Sequence, residues 1–285
     1  MDIRDEEVKA AVRTMQLLAD SASDSIRIGV GSTAITKSDG TPVSAVDAAI
    51  NTRVIAEVKR RHPECGVLGE EESYKGGDGS RLFVVDPIDG TAAYVAGLGV
   101  ACFSVAYVRD GVTQAAVIED PFTFSRFVAV RGAGAELDGR KLDVGTEPRS
   151  NIVLFEAIQR SELSEELLFH ELRAAKANPV RYLAFVNPAA RVATGALAGA
   201  VFGKITPWDH LGVSLLVEEA GGVVSDFAGK PVCIDSDGVV LAHPNWHAAL
   251  LEAVTNSRKS SGVDDWSDRL HRAFVILSSA VGSGS

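Results

Sequence analysis

Two carboxylates stand three residues apart in the stretch Asp86-Pro87-Ile88-Asp89-Gly90-Thr91, directly after a short apolar run. The apolar run, residues 82–85, is typical of a buried strand, and the proline predicts its end because proline has no N–H to give to a sheet. Asp-Pro followed by Asp-Gly favours a tight turn that points Asp86, Asp89 and the Ile88 carbonyl in one direction. Such oxygen ligands suit Mg²⁺, which leaves room for a substrate phosphate.

The residues that follow this turn could hold an anion. A helix that begins at Thr91 would direct the N–H groups of Gly90, Thr91 and Ala92 towards phosphate oxygens. The same letters also fit a solvated turn, since Asp, Pro and Gly are common turn formers. They fit a haloacid-dehalogenase-type phosphatase less well, because the Asp-x-Asp-x-Thr spacing of that class is absent.

Other acidic residues follow predicted strands or begin predicted helices. Glu70 comes directly after a short strand at residues 65–68, Asp209 opens a helix at 209–220, and Asp47 follows Ser44 in a capping-box pattern. From the residues alone, a helix cap is the preferred interpretation of Asp47, and an N-cap is likewise the simpler interpretation of Asp209. No histidine or cysteine cluster competes with Glu70, Asp86, Asp89 and Asp209, so hard oxygen ligands favour Mg²⁺ over zinc.

Composition limits the classes of partner. The chain has 285 residues and a formal net charge of −10, which argues against a nucleic-acid polymer or an anionic membrane as partner. Three scattered cysteines, Cys65, Cys102 and Cys233, predict neither a disulfide framework nor a zinc site, and a reduced cytoplasm is expected. The acidic N-terminal residues predict no signal peptide.

The uncharged run at residues 90–108 approaches the length of a membrane span. Its glycines, its start inside the acidic motif and its β-rich second part instead predict a buried strand at residues 100–108. We therefore expect no membrane-spanning segment.

The predicted order of helices and strands differs between the two halves of the chain. Apolar spacing predicts helices at residues 3–21 and 46–61, then an antiparallel meander with strands at 100–108, 112–118 and 124–130. From about residue 150, strands at 152–157, 182–186, 201–204 and 222–225 alternate with helices at 161–175, 188–200 and 209–220. We predict an α+β domain at 1–149, an α/β domain at 150–285, a mobile loop at 73–80 and an amphipathic segment at 264–277.

Three motifs in this order resemble the inositol monophosphatase family of Mg²⁺-dependent, lithium-sensitive phosphatases. They are Gly69-Glu70-Glu71, the stretch from Asp86 to Thr91, and Trp208-Asp209 followed by Glu219-Ala220-Gly221-Gly222. The resemblance covers residues 37–254, approximately. It implies a layered α-β-α-β-α sandwich, with an antiparallel sheet in the first half and a mixed α/β second half, and it implies a cytoplasmic homodimer.

The resemblance also implies roles for individual residues. The metal ligands would be Glu70, Asp86, the Ile88 carbonyl, Asp89 and Asp209, with Asp89 also near the substrate. Asp47 and Thr91 would orient a catalytic water for direct hydrolysis without a phosphoenzyme, and Glu70 would act in catalysis through the metal. Four carboxylates and a phosphate total a charge of about −6, which favours two tightly bound Mg²⁺ ions and a third that arrives with the substrate.

The sequence departs from the family near the expected substrate. Ala93-Tyr94 replaces the usual Asn-Phe, Leu183-Ala184-Phe185 replaces a small Gly-Ser/Thr-Ala segment, and Phe202 replaces a hydroxyl-binding glutamate, with Lys204 close by. A more apolar wall predicts weak preference for myo-inositol 1-phosphate. The segments 39–43 and 207–209 are similar to the histidinol-phosphatase branch. Sugar phosphates, adenosine 3′,5′-bisphosphate and a catalytically silent metal-binding relative stay open as alternatives.

Overall fold

The computed structural model describes residues 1–36, 42–157 and 162–258. The helices in these ranges are α1 (Glu6–Gly29), α2 (Ala45–Arg61), α3 (Thr91–Val95), α4 (Glu165–Ala174), α5 (Val186–Ala193), α6 (Pro207–Glu219) and α7 (Pro244–Asn256). The strands are β1 (Ala34–Thr36), β2 (Pro42–Ser44), β3 (Gly66–Gly69), β4 (Arg81–Asp89), β5 (Cys102–Arg109), β6 (Val112–Asp120), β7 (Ser125–Val130), β8 (Gly134–Leu137), β9 (Arg140–Lys141), β10 (Ile152–Ala157), β11 (Asn178–Val180), β12 (Gly199–Gly203), β13 (Val223–Ser225) and β14 (Gly238–Ala242).

The first two helices begin at side-chain caps. Asp5 accepts N–H groups of Glu7 and Val8 at the start of α1, and Ser44 forms a capping box with Asp47 at the start of α2. The predicted first helix is confirmed and runs eight residues further than expected, to Gly29. Its apolar face is buried against α2 and a sheet.

The first half of the chain forms a seven-stranded sheet in the order β3-β4-β5-β6-β7-β8-β9. The β3–β4 pair is parallel and every other pair is antiparallel, so the predicted meander is confirmed. Asp110-Gly111 and Asp138-Gly139 form the expected turns, and all four residues have positive φ. Helices α1 and α2 pack on one face of this sheet.

The second sheet has the order β11-β10-β12-β14-β13. Strand β10 lies parallel to β11 and β12, whereas β14 runs antiparallel to β12 and β13. Helices α5 and α6 lie between the two sheets, and α4 and α7 cover the far face of the second. The layers are therefore helices, sheet, helices, sheet and helices, which confirms the predicted α-β-α-β-α sandwich.

Two local predictions near the site are wrong. The proline at position 87 does not end β4, because one extra residue on β4 between Asp86 and Asp89 forms a bulge against β5, where a missing N–H is tolerated. The predicted strand at 182–186 is absent, since β11 ends at Val180 and α5 starts at Val186. Its apolar residues lie instead where the chain enters a helix.

Other boundaries shift for identifiable reasons. Helix α5 stops at Ala193, well before the predicted end at 200, because Gly195 is left-handed at φ 68° and lies so close to the Val144 carbonyl that a Cβ would be 2.5 Å from its oxygen. The hairpin of β1 and β2 and the strand β14 were not predicted. The tail segment 264–277 and residues 39–41 lie outside the described residues.

The uncharged run at 90–108 contains α3 and most of β5. Among the described residues, every helix is too short or too polar to cross a membrane. The division into domains at 149/150 stays a prediction. The two sheets do occupy separate parts of the chain, but one buried cluster between them contains side chains of both.

Candidate active site

Parallel pairing of β3 with β4 brings Glu70 and Asp86 to the same edge of the first sheet. Gly69 is opposite Val85 in this register, and the Glu70 N–H donates to the Val85 carbonyl at 3.2 Å. The residues that follow each partner are therefore neighbours, because parallel strands end at one edge. The short strand before Glu70 and the apolar run before Asp86 make this placement predictable.

Asp86 is buried, with 2% of its surface exposed. One carboxylate oxygen accepts the Ile88 N–H at 3.0 Å, which closes the predicted Asp turn. Burial raises the pKa of Asp86 well above its usual value, and the charges of Glu70, Asp89, Asp209 and Asp47 raise it further. The structure therefore brings the other four predicted acidic residues within electrostatic range of Asp86.

Asp89 connects the end of β4 to the second half of the chain. Its carboxylate accepts N–H groups from Phe185, at 2.9 and 3.0 Å to its two oxygens, and from Val186 at 2.8 Å. These bonds lower the pKa of Asp89, but burial dominates and raises it to about 7. Cys102 on β5 points its Sγ at the same carboxylate, at 3.7 Å.

Asp209 lies in the first turn of α6. Its Oδ2 accepts the N–H of Thr206 at 2.7 Å and the Thr206 hydroxyl at 2.8 Å, in a capping box. Burial is the main cause that raises the pKa of Asp209 to about 6, while the bonds to Thr206 oppose it. One oxygen therefore caps the helix, and the same side chain still belongs to the acidic cluster.

Asp47 also combines a cap with a place in the site. Its Oδ2 accepts the Ser44 N–H at 2.8 Å and the Ser44 hydroxyl at 2.6 Å. Its other oxygen lies 3.4 Å from the Thr91 hydroxyl, which is 3.0 Å from the Ile88 carbonyl. Burial is the largest cause that raises the pKa of Asp47. The predicted Asp47–Thr91 pair is thus in contact, although its two residues are 44 positions apart.

Gly90 has the backbone conformation that the turn requires. Its φ is 83°, and a Cβ at this position would lie 2.7 Å from the Ala184 Cβ. Glycine is needed here for both reasons, because other residues rarely adopt this φ and the opposite chain is too near. Gly90 therefore lies beside Ala184, directly before the residues whose N–H groups bind Asp89.

The two side chains predicted to lie near the substrate, Phe202 and Lys204, differ in burial. Phe202 is 2% exposed, and its ring centroid lies 3.9 Å from that of Phe185, which is half-buried. Lys204 is exposed just after β12 and has a positive φ of 58°. A surface that faces a substrate would accordingly consist of Phe185, with Phe202 packed behind it.

The carboxylates of the acidic cluster interact through their charges but are not packed tightly together. Among the described residues, three His, Cys, Asp or Glu ligand atoms lie within 4.8 Å of one another only at His62, Glu64 and Cys65, outside this cluster. This group lies apart from the carboxylates, so the expectation that no histidine or cysteine cluster competes with them is not contradicted. Sequence reasoning did not single out the group, because Cys65 was assigned to a strand, whereas β3 starts one residue later and leaves His62 to Cys65 in a turn.

Sequence reasoning also missed Glu156 on β10. Its charge contributes to the raised pKa of Asp209, and Arg181 forms an ion pair with it at 3.4 Å. Glu156 is opposite Phe202 in the parallel register of β10 and β12. No local motif marks Glu156, because only the pairing of these strands places it near the cluster.

The donor set fits a hard divalent cation. Every side-chain donor in the cluster is a carboxylate, and burial first, then the charges of neighbouring carboxylates, raise the pKa values of Asp86, Asp89 and Asp209. A layered sandwich with such a cluster at the strand ends defines a class of metal-dependent phosphatases.

The chain belongs to the inositol monophosphatase family, whose sequence profile matches residues 2–259. Enzymes of this family depend on Mg²⁺. Its relatives carry different names. The Nus factor SuhB of Xylella fastidiosa is 35% identical over 191 residues, 65% of this chain and 69% of that protein. A fructose-1,6-bisphosphatase/inositol-1-monophosphatase of Thermotoga maritima is 29% identical over 216 residues, 74% of this chain and 82% of that protein.

A histidinol-phosphatase of Chlorobaculum parvum is 29% identical over 228 residues, 78% of this chain and 87% of that protein. Among solved structures, the extragenic suppressor protein suhB of Bartonella henselae superposes with a TM-score of 0.79. It is 25% identical, and the match covers 89% of this chain and all of that one. These likenesses support a phosphatase at the level of the family and leave the substrate open.

Proposed function

We propose that this protein is a Mg²⁺-dependent phosphatase that hydrolyses a small phosphomonoester. The observation that carries the proposal is the group of Glu70, Asp86, Asp89 and Asp209, whose charges interact at one edge of the first sheet. The Asp47–Thr91 contact lies beside this group. Burial raises the pKa of Asp86 and of Asp89, and a bound cation would offset this cost of burying two carboxylates.

The proposed Mg²⁺ ligands are the four carboxylates and the Ile88 carbonyl. Two ions would bind tightly, and a third would arrive with the substrate, because the combined charge of carboxylates and phosphate is about −6. Bound Mg²⁺ supplies stabilisation of phosphate charge and lowers the pKa of a coordinated water. Asp86 would be central to this set, since the other members all raise its pKa.

Asp47 and Thr91 are proposed to orient the attacking water. Ser44 holds one Asp47 oxygen, so the other is free to face Thr91. The Thr91 hydroxyl can donate to Asp47 or to the Ile88 carbonyl, and its lone pairs then accept a hydrogen bond from the water. The N–H groups of Gly90, Thr91 and Ala92 would hold phosphate oxygens, so that positioning and charge stabilisation carry the rate.

The proposed substrate is less hydroxylated than inositol. The Phe185–Phe202 pair forms an apolar wall, and Glu156 adds one acidic group that the sequence did not reveal. Because Arg181 already pairs with Glu156, this carboxylate is less available to grip two ring hydroxyls. We therefore expect histidinol phosphate, or a differently substituted small phosphomonoester such as a sugar phosphate, to be preferred over myo-inositol 1-phosphate.

The test of the site uses Asp86→Asn. Its neutral amide imitates the protonated carboxyl that the metal-free protein favours, so the variant should fold. We expect Mg²⁺-dependent phosphate release to fall by at least a hundredfold. Asp110→Asn is the matched control, because Asp110 is exposed at a left-handed φ of 51° that Asn accepts. Near-normal turnover in Asp86→Asn would refute the site.

The test of the substrate ranks kcat/KM at fixed Mg²⁺ for inositol phosphates, histidinol phosphate, sugar phosphates and adenosine 3′,5′-bisphosphate. A clear preference for myo-inositol 1-phosphate would contradict the interpretation of Phe202. A trapped acyl phosphate would point to the haloacid-dehalogenase type, and no release from any substrate would support a silent relative.

We also propose that the enzyme is a cytoplasmic homodimer. The support is the family membership. Light scattering during gel filtration should give twice the chain mass of 30.0 kDa, and a monomer would refute this part.

A further inference from the structure

A second group of possible metal ligands lies at the opposite end of β3 from Glu70. His62 is the C-cap of α2, Cys65 directly precedes β3, and Glu64 stands between them. One ligand atom from each lies within 4.8 Å of the other two. Because β3 separates Cys65 from Glu70 by five residues, about 16 Å at strand spacing, this group is distinct from the carboxylate cluster.

The ring of His62 is already oriented for a ligand. Its Nε2 is 2.9 Å from the hydroxyl of Thr14 on α1, and its Nδ1 faces Glu64 Oε1 at 3.8 Å. When Nε2 donates its proton to this hydroxyl, Nδ1 keeps its lone pair. Metal-binding histidines are commonly held in this way through the second nitrogen. The ring also packs on Phe83, at 5.1 Å between centroids.

The spacing of the three ligand atoms suits a tetrahedral ion. Zinc binds sulfur, nitrogen and oxygen at bond lengths that make tetrahedral edges of about 3.4–3.6 Å. The Cys65 Sγ lies 3.6 Å from Glu64 Oε1, and the His62 Nδ1 lies 3.8 Å from the same oxygen. Small side-chain rotations would bring all three atoms to these edges.

The charge of the three ligands and the partial exposure of the site also favour Zn²⁺. A Cys65 thiolate and the Glu64 carboxylate would together neutralise a 2+ cation. Cys65 and His62 are buried, whereas the Glu64 side chain is 49% exposed, which leaves an entry path and a fourth position open to water. Binding would release the thiol proton to solvent. Sulfur and imidazole ligands together prefer zinc to magnesium.

We propose that His62, Glu64 and Cys65 form a zinc-binding site, separate from the catalytic cluster, that ties the end of α2 to the start of β3. The hydrogen bond from Thr14 connects α1 to the same point. The loop after β3 also packs there, because a Cβ at Gly76 would lie 2.2 Å from the Cys65 carbonyl oxygen. The site would therefore join α1, α2 and β3, the strand that leads to Glu70.

The experiment titrates the full chain, saturated with Mg²⁺, with Cd²⁺ and separately with Zn²⁺. Cd²⁺ reports sulfur ligation through a thiolate charge-transfer absorption band, and Zn²⁺ is followed by the melting temperature. We expect one Cd²⁺ per chain with the band present, and a rise in melting temperature with Zn²⁺. Cys65→Ser should lose both signals, whereas Cys233→Ser, which removes an exposed thiol, should keep them.

Glu64→Gln keeps the proposal testable if Cys65→Ser fails to fold, because Glu64 is half-exposed. It should weaken Cd²⁺ binding at least tenfold, the order of effect seen when a metal site loses a supporting group. Unchanged Cd²⁺ affinity in Glu64→Gln would overturn the three-ligand site. A band that survives Cys65→Ser and disappears in Cys102→Ser would place the sulfur beside Asp89, which would also overturn it.

Discussion

The strongest quantitative prediction concerns proton competition with Mg²⁺. The structure raises the pKa of Asp89 to about 7 and that of Asp209 to about 6, chiefly through burial. Both carboxyls are therefore largely protonated at pH 5 in the metal-free protein and largely ionised at pH 8. Because a carboxylate must be ionised to bind a cation, lowering the pH from 8 to 5 should weaken Mg²⁺ binding.

The size of the effect follows from these pKa values. At pH 5, displacement of the proton from Asp89 costs about a hundredfold in apparent affinity, and Asp209 adds about tenfold when it binds the same ion. For these two carboxyls the combined loss is about a thousandfold, or about 4 kcal/mol, and Asp86, whose pKa is also raised, adds to it. An interaction between the titrations would reduce the combined figure, so a loss of at least a hundredfold is expected.

The change in stability with pH has opposite signs for the buried carboxyls and for the buried histidine. A carboxyl whose pKa is raised by folding stabilises the metal-free protein at low pH, and that contribution disappears as the pH rises through the folded pKa. Burial lowers the pKa of His210 to about 4, so its contribution is lost as the pH falls from 6.5 to 4. Melting temperature alone mixes these effects, whereas Mg²⁺ affinity isolates the carboxyls.

The assay is calorimetric titration of metal-free protein with Mg²⁺ at several pH values from 5 to 8. Buffers of different ionisation enthalpy would count the protons released, which should be at least two per chain near pH 5 and fewer at pH 8. Asp110→Asn serves again as the control. An affinity that stays constant across this range, with no proton release, would show that Asp89 and Asp209 are ionised before the metal binds and would refute the reasoning.

Three further predictions concern the site. Thr91→Ala should lower kcat by about ten- to a hundredfold while Mg²⁺ affinity changes little, since it removes an orienting hydroxyl; a change in KM alone would contradict this. Gly90→Ala should destabilise the protein by about 1–3 kcal/mol in urea unfolding, because of its φ of 83° and the 2.7 Å approach to Ala184; unchanged stability would contradict the required turn. Lithium should inhibit uncompetitively or in mixed fashion at saturating Mg²⁺, and insensitivity would indicate another metal arrangement.

Short-range sequence patterns predict much of the fold. The capping residues of α1 and α2, the glycine turns of the meander and the apolar runs of β4 and β10 are short-range features, and the structure has elements at these places. Errors arose where local and tertiary preferences compete. Residues 182–186 are apolar enough for a strand, but Asp89 accepts the N–H groups of Phe185 and Val186, and the chain there enters α5.

The sequence by itself determined the residue types of the site and their order. Glu70 follows β3, Asp86 and Asp89 lie in the last residues of β4, and Asp209 lies in the first turn of α6, so their types and local settings are found in short segments. Their roles in binding metal and substrate stay predictions.

Only the tertiary structure decided which distant groups meet these residues. The packing of two sheets around α5 and α6 places Glu156 near Asp209, buries Phe202 behind Phe185, and brings Thr14 of α1 to His62. Such contacts join residues separated by tens of positions and have no local signal. They are fixed when apolar faces of different elements are buried together, because close packing leaves each side chain few alternative neighbours.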